Sequence, residues 1–326
     1  MNPIYRTLRV GDAKFNDAAG AFLTGELERL DPVIHEPLMD FTYHRDIPIR
    51  TDVSLGDEYT SFANVDYGMT GSTNGSNINW VEKESTVVAI PNIDLAKTRN
   101  PFRGVEYACK YTYLELESSM TLGRPIDQMQ IKAVQMKHQR DADTMAYIGD
   151  TAIAETGLVN NASVTVSNAP NGAGLSPYWA NKTPDEILQD INDLITSVWN
   201  ASGNAIAPSK VLVPTKAMSA LLKPMTSTGI SVLNYVQQNC IYRAISGNEL
   251  QIAPVKYLDA AGTSGVGRMI AYTPDENLVR FPMTPLKRYP LHYIGNAILF
   301  YYVGRLGAVE FVKPETVGYM DGITAA

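Results

Sequence analysis

Histidine, cysteine and carboxylate side chains are the ones best suited to metal, nucleophilic or acid–base chemistry. Here they do not cluster. His35, His44, His138 and His292 are scattered, and so are Cys109 and Cys240. No CxxC pair occurs, so the close ligand spacing of a zinc site is missing. The nearest thing to a ligand pair is His138 with Asp141, one helical turn apart. Two ligands without a third hold no ion, so the expectation there is a hydrogen bond at the surface. Glu115 and Glu117 would share one face of a strand, as a pair of acid-catalytic carboxylates must. Strand alternation makes such pairs routinely, and nothing else converges on this one. No G-x-S-x-G pentapeptide, Walker loop or strand-linked GxGxxG occurs. The glycine-rich 262–267 (GTSGVG) leads into a strand and not a helix, so a hairpin loop fits it better than a phosphate cradle. No catalytic residue, cofactor or metal ligand is therefore expected.

Composition narrows the class. At 326 residues the chain exceeds one minimal core, so one large domain or two intertwined ones are expected. Hydrophobic residues make up 45% and charged residues 19%. Low charge with 18 tyrosines suits a surface buried against partners, and it suits a large core equally well. The net charge of −7 provides no overall attraction to phosphate backbones. Two distant cysteines exclude a disulfide framework and fit synthesis in the cytoplasm. Residues 1–10 (MNPIYRTLRV) carry no apolar core of a signal peptide, and no run of 18 apolar residues could span a membrane.

The elements that would have to position any site read as follows. Residues 1–48 form an arm with one helix over 16–30, capped by Asn16, among scattered prolines. Residues 49–122 are extended. Val65, Tyr67 and Met69 alternate with polar or small residues, 70–77 (TGSTNGSN) is a turn or tip, and 86–90 is a short apolar strand. Val105, Tyr107, Cys109, Tyr111 and Tyr113 alternate, and then the phase slips to Leu114 and Leu116, which predicts a bulge or strong twist. Such a ribbon is unstable alone and needs a cover. The strongest helix runs over 125–148, with Pro125 in its first turn and Gly149 as its stop; it would be about 35 Å long. Residues 157–179 read as loop. A second helix opens at Thr183-Pro184 with Glu186 completing a capping box, and Ile187, Ile191, Leu194, Ile195 and Val198 form its apolar face. Strands at 210–213, 249–255, 269–272 and 278–281, with helices at 215–222 and 229–239, complete an α+β body. Near the end, 297–303 (AILFYYV) reads as a strand buried on both faces, 304–307 (GRLG) as a turn and 308–312 as the return strand.

This order, together with local strings, resembles the HK97-type major capsid proteins of tailed bacteriophages and their encapsulin-like relatives. The strings are Ala146-Tyr147-Ile148-Gly149-Asp150, Gly157-Leu158-Val159-Asn160, Thr183-Pro184-Asp185-Glu186-Ile187 with Asp190-Ile191, and Leu212-Val213-Pro214. The resemblance implies an HK97-like capsid fold. Its parts would be an N-terminal arm (1–48), an extended β-hairpin E-loop and ribbon (49–122), a spine helix with peripheral domain (123–156), an axial domain (157–290) and closing strands of the peripheral domain (291–326). It also implies a structural subunit, not an enzyme, made in the bacterial cytoplasm and found in the virion capsid. The subunit would assemble as homo-pentamers and homo-hexamers into an icosahedral head. That head would enclose double-stranded DNA without reading its sequence, and an acidic inner wall would avoid trapping it. The region before the ribbon is too short for a fused scaffold, so the resemblance implies a separate scaffolding protein, or none; a portal and a decoration protein would be further partners. The expected assembly contacts are Gly71, Asn74, Gly75 and Asn77, whose backbone freedom lets the tip bend, Lys83 and Lys97 on the ribbon, and Arg140 and Asp141 on the spine helix, whose charged edge also carries Asp143. The glutamate and asparagine needed for a lysine cross-link are not placed. An encapsulin-type compartment, an uncharacterised α/β enzyme and a tail-tube or decoration protein are the alternatives; the long helix argues against the last.

Overall fold

The computed structural model describes residues 39–69, 90–122, 126–225 and 229–325. The helix expected over 16–30, the tip at 70–77 and all but the last residue of the strand at 86–90 lie outside them. The chain divides into two units after Asp40, and the described elements all belong to the second, Phe41–Ala326.

In chain order the elements begin with α1 (Tyr43–Asp46), β1 (Ile49–Arg50), β2 (Tyr59–Met69) and β3 (Pro91–Thr112). Next come α2 (Tyr113–Leu122), α3 (Ile126–Tyr147), β4 (Gly149–Asp150), β5 (Glu155–Thr156) and β6 (Thr165–Asn168). The middle holds α4 (Pro184–Ala201), β7 (Lys210–Pro214), α5 (Thr215–Leu221), α6 (Val232–Asn239) and α7 (Ile241–Ser246). The last third is β8 (Gln251–Val255), β9 (Arg268–Tyr272), β10 (Val279–Pro282), β11 (Lys287–Arg288), β12 (His292–Ile294), β13 (Ala297–Gly307), β14 (Glu310–Phe311) and β15 (Gly318–Asp321).

One sheet has the order β11-β13-β3-β2, with β12 also on β13. At about 3.3 Å per residue, β3 is on the order of 70 Å long. Its second half pairs with β13, from Phe102 opposite Gly307 to Thr112 opposite Ala297. Its first half pairs only with β2, from Pro101 opposite Tyr59 to Pro91 opposite Met69. A four-strand base thus tapers into a two-strand ribbon. Ile131 and Val134 of α3 pack on Cys109, Tyr111 and Phe300 of the base.

The second sheet has the order β6-β15-β9-β7-β8. Its three central strands are buried on both faces because period-2 alternation feeds two cores. Val211, Val213, Met269, Ala271 and Met320 face α4, which contributes Ile187, Ile191, Leu194, Ile195 and Val198. Leu212, Ile270, Tyr272 and Tyr319 face the other way, into a core shared with Ala142, Ala146 and Tyr147 of α3. A third sheet, β1-β10-β14, closes beside it.

The strings that suggested a family have physical roles. The α4 capping box forms as expected, with Thr183 and Glu186 satisfying each other's backbone N–H groups. Residues 157–160 finish α3: Leu158 N and Val159 N donate to Ala146 O and Tyr147 O (2.9 and 3.0 Å), and Asn160 Nδ2 donates to Ile148 O (2.8 Å). The carbonyls that a helix end leaves unpaired are thereby used. Gly149, at φ +78°, makes the turn, and a Cβ there would overlap the Glu155 backbone.

Four expectations need correction. The phase slip after Tyr113 is not a bulge: the chain turns there into α2. Thr112 and Glu115 form its capping box, with Thr112 N donating to Glu115 Oε2 (2.9 Å) and Glu115 N to Thr112 Oγ1 (3.3 Å). Glu115 and Glu117 therefore sit two apart on a helix and share no face. Residues 304–307 are not a turn but the continuation of β13, and β14 pairs with β10. The strand at 297–303 is half-buried, since one face meets α3 and the other carries partly exposed Leu299 and Tyr301. Residues 157–179 are not loop throughout, because β6 within them pairs in parallel with β15.

Candidate assembly surfaces

The ribbon is the most conspicuous unfinished surface. Opposed residues of an antiparallel pair share a face. Val65 opposes Leu95 and Tyr67 opposes Ile93, so these four form one apolar face. All four are exposed, Tyr67 by 80%, Leu95 by 66% and Ile93 by 60%. The opposite face, with Asn64, Asp66, Asn92 and Asp94, is polar. A polar reverse is what water accepts; an apolar obverse left uncovered is what a partner or an aggregate covers.

The ribbon's base is held firmly. Glu310 is fully buried and takes bonds from Arg280 Nε (2.6 Å) and from Arg50 Nη1 (3.2 and 3.3 Å). Arg305 bridges to Leu55 O (2.8 Å) and Phe102 O (2.7 Å), and Asn64 Nδ2 donates to Val312 O (3.0 Å). The flank of the same sheet shows a second apolar group. Tyr113 N donates to Asn296 O (3.1 Å), which brings the start of α2 beside the β12–β13 hairpin, and Tyr113, Leu114, Tyr293 and Ile294 are all exposed there.

The start of α3's partner segment is fixed by two buried carboxylates. Asp46 accepts from Arg45 Nε (2.7 Å), Lys210 Nζ (2.9 Å) and the Tyr147 hydroxyl. Burial opposes its ionisation, but the bonds from Arg45, Tyr147 and Lys210 outweigh that and hold its pKa below the ordinary range. Burial together with the Asp46 charge pushes the Tyr147 phenol well up. Asp143, expected on the charged edge of the spine helix, is instead buried: it accepts from Thr42 N (3.0 Å), Tyr43 N (3.2 Å) and Tyr257 Oη (3.0 Å). A carboxylate with several backbone donors can be buried at tolerable cost, and the sequence offered no hint of those donors.

The expected site residues fall into three groups. Gly71, Asn74, Gly75, Asn77 and Lys83 lie outside the described residues. Lys97 is exposed on the apolar face of the ribbon, opposite Ala63. Arg140 is exposed on α3, whereas Asp141 is engaged by Lys137 and by the Tyr107 hydroxyl (2.8 Å). The structure brings none of the three together into one site. His138 makes no surface bond: it is buried against Tyr107, and neither ring nitrogen has a hydrogen-bond partner among the described residues. Burial lowers its pKa, with Asp141 offsetting only part of the effect. Ile93 and Leu95 were missed as contacts, although their alternation with Asn92, Asp94 and Ala96 was legible.

Little here is arranged for chemistry. Among the described residues no three His, Cys, Asp or Glu side chains could hold a metal, and both cysteines are buried and unpaired. No described helix is long and apolar enough to cross a membrane. An open cavity of about 450 Å³ beside α3, lined by Arg103, Asp141 and Asp150, offers no nucleophile with a base. The 262–267 loop is a structural turn, with Asp321 accepting from Thr263 N (2.9 Å) and Thr263 Oγ1 (3.1 Å) as it holds Arg268.

Comparisons with known proteins agree with this reading. The chain is similar in structure to the capsid of Myoviridae phage XM1, at 16% identity and a TM-score of 0.77, covering 94% of this chain and 100% of that one. It is also similar to a structure of Mycobacterium phage Che8 (12% identity, TM-score 0.58, 94% and 100% covered) and to the capsid of an empty GTA particle (14%, 0.57, 98% and 100%). At these identities the likeness shows the fold, an α+β fold of the HK97-like capsid kind. A sequence search of curated proteins finds no match. The family profile for major capsid protein matches residues 77–323, about three quarters of the chain, and with ribbon base, long helix and two-cored sheet in place it settles the matter: the chain belongs to the major capsid protein family.

Proposed function

We propose that this capsid protein builds a tailed-phage head from pentamers and hexamers of itself, enclosing double-stranded DNA that it does not read. The observation that carries the proposal is the ribbon. Its apolar face has no cover within the described chain, while its base is clamped by buried charge pairs, so it extends as a stiff arm that gains its missing contacts on an adjacent copy. In this reading 1–48 is the arm, 49–122 the E-loop and ribbon, 123–156 the spine helix (α3) and peripheral domain, 157–290 the axial domain and 291–326 the closing strands of the peripheral domain. Gly71, Asn74, Gly75 and Asn77 let the tip adapt between ring types, and Lys83, Lys97, Arg140 and Asp141 supply polar contacts at the rim. Rings close because the contacts are head to tail, and many weak contacts add up in a closed shell. A scaffolding protein, a portal and a decoration protein would act with it.

Negative-stain microscopy of the purified protein, alone and co-expressed with a scaffolding protein, tests this directly. Hollow closed particles are expected in at least one preparation. A strictly monomeric species by light scattering in both would refute it.

A further inference from the structure

Four non-glycine residues among those described hold a positive φ: Ala154, Leu175, Asn204 and Ser264. Three are small or polar, types that enter this region at modest cost. Leu175, at φ 55°, is bulky and branched, and at 86% it is the most exposed large apolar side chain described. A leucine side chain left in water adds nothing to the packing of its own subunit. Such outliers persist where the surroundings impose them, and they cluster at sites of function.

The surroundings here do impose it. Gly172 N donates to Ser176 O (3.0 Å) and Leu175 N to Gly172 O (2.9 Å), closing the turn. Glu186 of the α4 capping box accepts from Ala173 N (2.7 Å) with one oxygen and from Thr183 N (2.8 Å) with the other. Ser176 Oγ accepts from Tyr178 N and Asn181 Nδ2, both at 3.3 Å. A Cβ at Gly172 would come within 2.9 Å of Glu186 Oε2, so the turn rests directly on the cap. The knob is thus mounted on the first turn of a helix whose apolar face is buried. Near it, on the same body, a recess of about 390 Å³ opens between residues 178–181 and α5, lined by Trp179, Ala217, Ala220, Lys223 and Ile323. Leu175 does not line it.

We propose that Leu175 anchors the contact between copies by inserting into this recess on the adjacent subunit. The inference rests on the shell reading above, and the occupant is a second copy because shell subunits meet their own kind. A knob and a recess that share one patch make it self-complementary, so the same patch on a second copy can fill this recess and have its own filled.

Three variants test it in shells. A thiol at position 175 (Leu175→Cys) is expected to react with a maleimide at least about tenfold more slowly in shells than in dissociated subunits. Leu175→Gly, which accepts the backbone, is expected to keep or raise the subunit's thermal midpoint while raising the concentration needed for assembly about tenfold. Leu175→Cys with Lys223→Cys is expected to give intersubunit disulfides in oxidised shells. Equal reactivity in shells and subunits, or assembly of Leu175→Gly at the native concentration, overturns the anchor. Protection without those disulfides overturns the recess as its acceptor. If the native chain forms no shells under any condition, the shell reading itself fails, and that result is distinct from native shells with an indifferent Leu175.

Discussion

The apolar face of the ribbon makes the sharpest prediction. Tyr67, Ile93 and Leu95 are exposed by 80%, 60% and 66%. Full burial of such a side chain contributes roughly 1.5–3 kcal/mol. Covering the exposed fraction is therefore worth about 1–2 kcal/mol for each, or roughly 4 kcal/mol for the three, before the cost of ordering the contact. Replacing all three by threonine keeps β-propensity and removes most of that apolar area. The contact should weaken by a factor on the order of 10³. The subunit itself should lose only about 1 kcal/mol, because the side chains already face water and only the cross-strand pairs Tyr67–Ile93 and Val65–Leu95 suffer. Assembly against protein concentration, followed by light scattering and gradient sedimentation, reads the first quantity; urea unfolding of dissociated subunits reads the second. Changing Ala96 and Thr98, on the other face, to serine provides the control and should alter neither. Closed shells from the triple variant at the native concentration would refute the reasoning outright. So would a subunit that unfolds as easily as it fails to assemble.

Other consequences can be checked on the subunit. Glu310→Ala leaves Arg280 largely buried without its partner and leaves Arg50 only Asp52, and should cost about 3 kcal/mol in urea unfolding; a double change with Arg280→Ala should cost clearly less than the sum of the two single changes. A Cβ at Gly318 would overlap a Val198 methyl group, so Gly318→Ala should destabilise by about 2 kcal/mol and Val198→Ala should recover part of it. His138 carries a pKa lowered by burial from its ordinary 6.5, so the unfolded chain takes up a proton there before the folded one does. Its neutral form therefore leaves stability intact above pH 6.5, and stability falls as the pH drops below that value. In thermal melts between about pH 7.5 and 5, His138→Phe should show a shallower fall than the native chain; superimposable profiles would count against the seam between α3 and β3 as the cause.

Much of this protein was legible in its residues, and the legible parts share a physical basis. The long helix over 126–147, the capping box at Thr183 and the apolar strands at 210–214 and 268–272 all follow from local spacing, since periodicity, caps and breakers act over a few residues. Alternation of Val65 and Tyr67 already marked an extended ribbon. What the sequence could not state was which partner each surface meets. Thr112 and Glu115 have the spacing of a cap, but the alternation before them argued for more strand, and only the approach of α2 to Asn296 decides for helix. Residues 304–307 look like a turn because they contain two glycines. They remain strand because β3 runs long enough to pair with all of them. Asp143 read as part of a charged edge, and tertiary structure buried it, as it did Glu310, by bringing donors from far along the chain. The sequence by itself determined the order of the elements and the family they belong to. Tertiary structure alone decided which charges are internal, which apolar face is left for a neighbour, and which leucine stands strained in the open, because burial is a property of what surrounds a residue and not of the residue itself.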